Sequence, residues 1–119
     1  MRPEERDEAS LWDMRRYALQ SNDLVTSVSF EDFLADPVRR LAVERSVEII
    51  GEAAGRVSPD FRAAHLEIAW RQMVGLRNIL VHNYSTVDAA TLWQVVTEYI
   101  PDLLRLLDPL IPEPPADEE

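Results

Sequence analysis

The feature that most constrains this chain is the stretch from Asp36 to Val57. Asp36-Pro37 is a strong helix start, with a carboxylate able to accept from the first free backbone N–H groups and a proline pre-set for the first helical position. The periodicity predicts a helix over 37–57 with two apolar stripes. One is Val43, Val47, Ile50, Ala54 and Val57, and the other is Val38, Leu41, Ala42, Ile49 and Ala53. A helix that apolar is expected to be covered on more than one side. Gly51 and Gly55 lie on it four residues apart, each at a cost of about 1 kcal/mol relative to alanine. They suggest the close approach of another backbone, from a neighbouring helix or a second subunit.

The rest of the chain is compatible with helices around this one, and no segment gives a strong strand signal. A first helix is predicted over 7–22, with Leu11, Met14, Ala18 and Leu19 inward. Ser29-Phe30-Glu31-Asp32 resembles a capping box and opens a short turn ending near Ala35. Ser58-Pro59 repeats the cap-then-proline signal for a short helix to about His65. A further helix is predicted over 67–82, with Ile68, Met73, Leu76 and Leu80 as core. Asp88 is the expected N-cap of a last helix over 89–107, which Pro101 should kink or restart. The expectation is an all-α domain over 1–107, an up-and-down four-helix bundle with one or two extra short helices. Residues 108–119, acidic and proline-rich, are expected to be a disordered tail.

The formal charge of −10 is unevenly spread. Residues 1–36 hold nine acids against four arginines, residues 106–119 hold five acids and no base, and 37–105 balance eight against eight. Such a chain does not attract nucleic acid generically. Binding RNA would need a local arginine site, a groove made by oligomerisation, or both. The absence of cysteine excludes disulfides and thiol chemistry. No apolar run approaches the roughly 20 residues of a membrane span, and the charged N-terminus has no signal core, so a cytoplasmic protein is expected.

The chemistry-bearing groups cluster in Arg77-Asn78-Ile79-Leu80-Val81-His82-Asn83-Tyr84. With about 100° per residue, Asn78 and His82 share one stripe and Arg77 and Tyr84 the adjacent one. Arg77 and His82 diverge by about 140°. They can converge if the helix ends near His82, if Arg77 swings round, or if a second copy crosses, and the last favours a dimer with the site at its interface. Histidine can move protons near neutral pH. Arginine can stabilise charge on a phosphoryl oxygen. Asn78 can orient the imidazole or donate to phosphate. RNA brings its own nucleophile in the 2′-hydroxyl, so the set suffices for phosphodiester cleavage without a metal or cofactor, and no acid–histidine cluster has ligand spacing. By spacing alone, a structural ion pair or a helix C-terminal histidine is the plainer reading.

The segment Gly75 to Tyr84, with its Arg-x4-His-x-Tyr pattern, resembles the HepT-like branch of the HEPN superfamily. So do Ile50-Gly51-Glu52-Ala53-Ala54, Ala69-Trp70-Arg71, Val87-Asp88, Trp93 and Asp102-Leu103 after Pro101, and the resemblance covers roughly residues 10–107. It implies a dimeric all-α endoribonuclease acting without metal, as the toxin of a type VII-like toxin–antitoxin pair. It implies Arg77 and His82 as catalytic, with Asn78 beside them. It implies an MntA-type nucleotidyltransferase antitoxin that adenylylates Tyr84, with the homodimer free to join a larger hetero-oligomer. Asn83 stands where the family often has glycine, which bears on access to Tyr84. A non-catalytic subunit that docks a nucleotidyltransferase is the alternative. Glu52 is a candidate support for the site, by pairing with Arg77, or a solvated acid. His65 is expected at the surface or in a loop, Arg71 at the surface, and Trp12, Trp70 and Trp93 in core or dimer contacts.

Overall fold

Helix α1 spans Pro3–Val25, longer at both ends than the predicted 7–22. The computed structural model describes residues 3–82 and 86–111, and the side chains of 5–76 and 89–111. Leu11, Met14, Ala18, Ser21 and Val25 form the buried face of α1. Leu19 is a correction: it lies about 100° past Ala18 and is 37% exposed.

Three helices begin by one device. Ser29, Asp36 and Ser58 each accept, through a side-chain oxygen, the backbone N–H three residues on, at 3.0, 3.1 and 3.2 Å. They open α2 (Phe30–Leu34), α3 (Pro37–Arg56) and α4 (Pro59–Ala64), as the sequence predicts. The capping is a local bond between near neighbours, so it is legible from spacing alone.

Helix α5 spans Trp70–His82, starting later than the predicted residue 67. The intervening residues form tight turns, with Ile68 N–H donating to His65 O at 3.3 Å and Trp70 N–H to Ile68 O at 2.9 Å. Ile68 is thereby buried from outside the helix. Met73 and Leu76 are core as expected, whereas the side chain of Leu80 lies outside the described residues. Helix α6 spans Thr86–Gln94, so Asp88 sits inside its first turn rather than at the N-cap. The helix dipole favours an acid at either place, which is why the sequence signal misplaces the start.

A π-helical turn, Val95–Tyr99, joins α6 to α7 (Ile100–Leu107). Pro101 explains it. Proline lacks an N–H and its ring crowds the carbonyl four residues back. The widened turn, in which Ile100 N–H reaches Val95 O, relieves that crowding without breaking the helix. The boundary expected at Leu107 also shifts. Asp108–Leu110 form a 3-10 turn, Leu110 and Ile111 pack on the core, and Asp108 pairs with Arg15 at 3.6 Å. Residues 112–119 lie outside the described residues.

All regular structure among the described residues is helical. Helix α1 packs along α3 and α7, α3 also packs along α5, and α2 bridges α3 and α6. Phe33, Met14, Ile50, Met73, Ile100 and Leu107 are fully enclosed between them. Trp93 stacks obliquely on Phe33 and Phe30, with centroids 5.1 and 5.8 Å apart. Trp70 is buried and donates its indole N–H to His65 O at 2.9 Å. Two polar ties, the first of them long-range, fix the α3–α4 junction. The buried Asp7 accepts from the Ser58 N–H at 2.8 Å and from its hydroxyl at 2.7 Å. The Arg62 guanidinium donates to the carbonyls of Ala54, Gly55 and Val57 at 2.9–3.0 Å, at a helix end where Ala54 O also accepts the Val57 N–H at 3.2 Å.

On α3 the first apolar stripe is buried throughout. The second is a partial correction: Ala53 is buried, Ala42 and Ile49 are half-buried, but Val38 and Leu41 are 77% and 64% exposed. No described element covers that side of the first two turns. No helix among the described residues is long and apolar enough to cross a membrane.

Candidate functional site

Arg77, Asn78 and His82 all lie on α5, whose helical backbone is continuous from Trp70 to His82. Helix geometry therefore applies as the sequence arithmetic assumed: positions 78 and 82 share a stripe, and 77 stands about 140° from 82. The side chains of Arg77, Asn78 and His82, and all of Tyr84, lie outside the described residues.

What surrounds α5 is described. A hollow of about 530 Å³ opens between it and α3, lined by Gly51, Glu52, Gly55, Arg56 and Val74. Its glycines behave differently from one another. Gly51 is buried, whereas Gly55 is exposed, and a Cβ placed on Gly55 or on Gly75 of α5 would meet nothing within 4 Å. The close backbone approach expected at Gly55 is therefore not made by the described residues of this chain. Glu52 borders the hollow, half-buried, with its carboxylate 3.7 Å from the Arg45 guanidinium. Arg56 reaches back to Asp13 at 3.4 Å, an exposed contact of little energetic weight.

His65 caps α4, as a loop histidine, with Nδ1 3.4 Å from Glu67 and its ring 4.3 Å from that of Phe61. Arg71 is exposed near the start of α5. A second hollow, between α7 and the residues leading into α5, is lined by Glu67, Glu98, Asp102 and Tyr99 among others. Burial, and then the Asp102 carboxylate, raise the Tyr99 phenol above its usual range. At the α3 N-terminus the Asp36 carboxyl is held below its usual range, chiefly by the Arg39 N–H it accepts. Sequence reading missed Asp7 and Arg62, whose ties secure the end of α3 beside the first hollow. Asp7 and Ser58 are 51 residues apart, and no local pattern signals such a pair.

An all-helical domain with the arginine and histidine of an Arg-x4-His-x-Tyr segment on a helix flanking an open, glycine-lined face belongs to the HEPN class of helical domains. Residues 14–110 match the family described as Ribonuclease HepT-like. A probable ribonuclease HepT of Thermococcus cleftensis is 44% identical over 81 residues, covering 68% of this chain and 74% of that protein. A putative RNase of Methanocaldococcus jannaschii is 36% identical over 97 residues, covering 82% and 89%. A putative RNase of Caldanaerobacter subterraneus is 40% identical over 79 residues, covering 66% and 70%. No solved structure gives a significant match. The chain belongs to the HepT-like ribonuclease family.

Proposed function

We propose that the chain is a metal-independent endoribonuclease whose reaction is centred on α5. The observation that carries this is the family match over residues 14–110, which spans the whole motif segment and none of the acidic tail beyond residue 110. In this reading the 2′-hydroxyl of RNA attacks the adjacent phosphorus. The P–O5′ bond breaks, leaving a 2′,3′-cyclic phosphate and a free 5′-hydroxyl. His82 transfers protons, Arg77 stabilises the negative charge that develops on the phosphoryl oxygens, and Asn78 orients the imidazole or donates to phosphate. Water is not consumed in this step, and the proton lost from the 2′-oxygen is balanced by one gained at the 5′-oxygen.

The helical bundle is completed as a homodimer in this proposal. The divergence of Arg77 and His82 on one helix, the open Gly55 and the uncovered Val38 and Leu41 all support a second copy on this side. The protein acts as the toxin of a pair, and an MntA-type nucleotidyltransferase neutralises it by adenylylating Tyr84. A stable bulky adenylyl group two residues from His82 would block the approach of RNA.

The test is cleavage of labelled RNA by the purified protein in the presence of chelator. Wild type should yield cyclic-phosphate ends, and His82→Ala and Arg77→Ala should each lower the rate by at least about 10²-fold. RNA left equally intact by wild type and His82→Ala refutes the enzyme reading. The acidic ends, −5 each, favour a docking subunit in that case. Intact mass after co-expression with a nucleotidyltransferase tests the modification, since an unmodified Tyr84 in fully neutralised protein overturns it.

A further inference from the structure

We infer that Arg71 is a phosphate-positioning residue that holds the RNA strand on the face of α5 leading to His82. The inference rests on the ribonuclease reading for what reacts at His82, but its own observations are separate. Arg71 is exposed and has no hydrogen-bond or ion-pair partner among the described residues. The first turn of α5 contains no acid to neutralise it.

Its placement on the helix is the main argument. Positions 71, 75, 78 and 82 succeed one another by four, three and four residues, so they fall within about 60° on one stripe of α5. Position 71 stands about 16 Å from position 82 along the axis. Between them is Gly75, where even an added methyl group would meet nothing within 4 Å. The stripe is thus unobstructed at its middle, with a cation at one end and the motif histidine at the other. Val74, about 60° round from this stripe, borders the hollow shared with α3. The acid there, Glu52, faces Arg45 rather than standing alone.

A single strand whose scissile phosphate lies at the motif can therefore run along α5 and present an upstream or downstream phosphate to Arg71. Arginine suits this task because its planar fork can donate two parallel hydrogen bonds to one phosphate. In a chain of net charge −10, a cation placed on the track has more effect than one elsewhere. Repulsion from the acidic ends otherwise opposes the approach of RNA.

The experiment compares wild type, Arg71→Ala and Arg71→Lys on two substrates, a single-stranded RNA long enough to span α5 and a dinucleotide. Circular dichroism confirms folding of each variant. On the long RNA, Arg71→Ala should raise KM about tenfold with kcat changed less than about twofold, and Arg71→Lys should recover part of the loss. The loss should be clearly smaller on the dinucleotide, which is too short to reach position 71. In parallel, anisotropy with the long RNA on a His82→Ala background gives the dependence of binding on salt. Removing one phosphate contact should flatten the log–log slope by about 0.7. Equal losses on both substrates would assign Arg71 a structural role and overturn the inference. So would an unchanged KM together with an unchanged salt slope. If wild type cleaves nothing, the ribonuclease reading fails, and the salt slope still decides for or against Arg71 as a phosphate contact.

Discussion

Replacing Asp7 by alanine should remove the strongest polar tie between α1 and the α3–α4 junction. The Asp7 carboxylate accepts two hydrogen bonds from Ser58, from the N–H at 2.8 Å and from the hydroxyl at 2.7 Å. The hydroxyl in turn accepts the Phe61 N–H at 3.2 Å, so the carboxylate orients the cap of α4. Hydrogen bonds to an ionised group contribute about 1.5–3 kcal/mol each. Both converge on one residue, and Ser58 is only half-buried, so water recovers part of the loss. Asp7→Ala should therefore cost about 2–4 kcal/mol, and Asp7→Asn, which keeps one acceptor oxygen, about half as much. At about 3–5 °C per kcal/mol for a domain of this size, Tm should fall by roughly 6–20 °C for alanine. Urea denaturation of wild type, Asp7→Ala, Ser58→Ala and the double variant gives the coupling directly. A coupling of at least about 1 kcal/mol is expected. A single-variant loss below about 0.5 kcal/mol, or additive losses in the cycle, would refute the account of how this junction is held.

Phe33→Ala should cost about 3–5 kcal/mol in the same assay, because Phe33 is fully enclosed and packs on Trp93. Arg62→Lys should recover little of the loss caused by Arg62→Ala, since one ammonium cannot serve three carbonyls spread from Ala54 to Val57 as a planar fork does. Gly55→Ala should raise the stability of the dissociated chain by about 0.4–1 kcal/mol, there being free space for the methyl group. Sedimentation at several concentrations should show weaker self-association of the same variant if a second copy approaches there. The Asp36 carboxyl is held below its usual value in the folded chain. Its contribution is therefore complete above the unfolded value near 3.8 and is lost as pH falls through the lower folded one. Acid titration of Asp36→Asn should show less destabilisation than wild type in that window.

The relation between sequence and structure differs from element to element. The caps at Ser29, Asp36 and Ser58 were legible because each is a bond to an N–H three residues away. The start of α5 was not, because the apolar Ile68 fits a helical pattern while being buried from a turn. Leu19 fitted the pattern too, yet the neighbours of α1 cover a face centred about 120° away. The motif segment was visible as a pattern, and its family was visible with it, since spacing on a helix is a property of the sequence. The hollow beside it was not, since it depends on how α3 and α5 stand together.

By itself, then, the sequence determined where helices α2, α3 and α4 begin, the all-helical class and the stripes on which Arg77, Asn78 and His82 lie. These follow from bonds and rotations confined to a few consecutive residues. Tertiary structure alone decided that the second stripe of α3 is open at Val38 and Leu41. It also decided that a Cβ at Gly55 would meet nothing within 4 Å, that Pro101 is absorbed by a π-helical turn, and that Asp7 meets Ser58. Burial and long-range pairing belong to pairs of elements, and their outcome is set only when those elements pack.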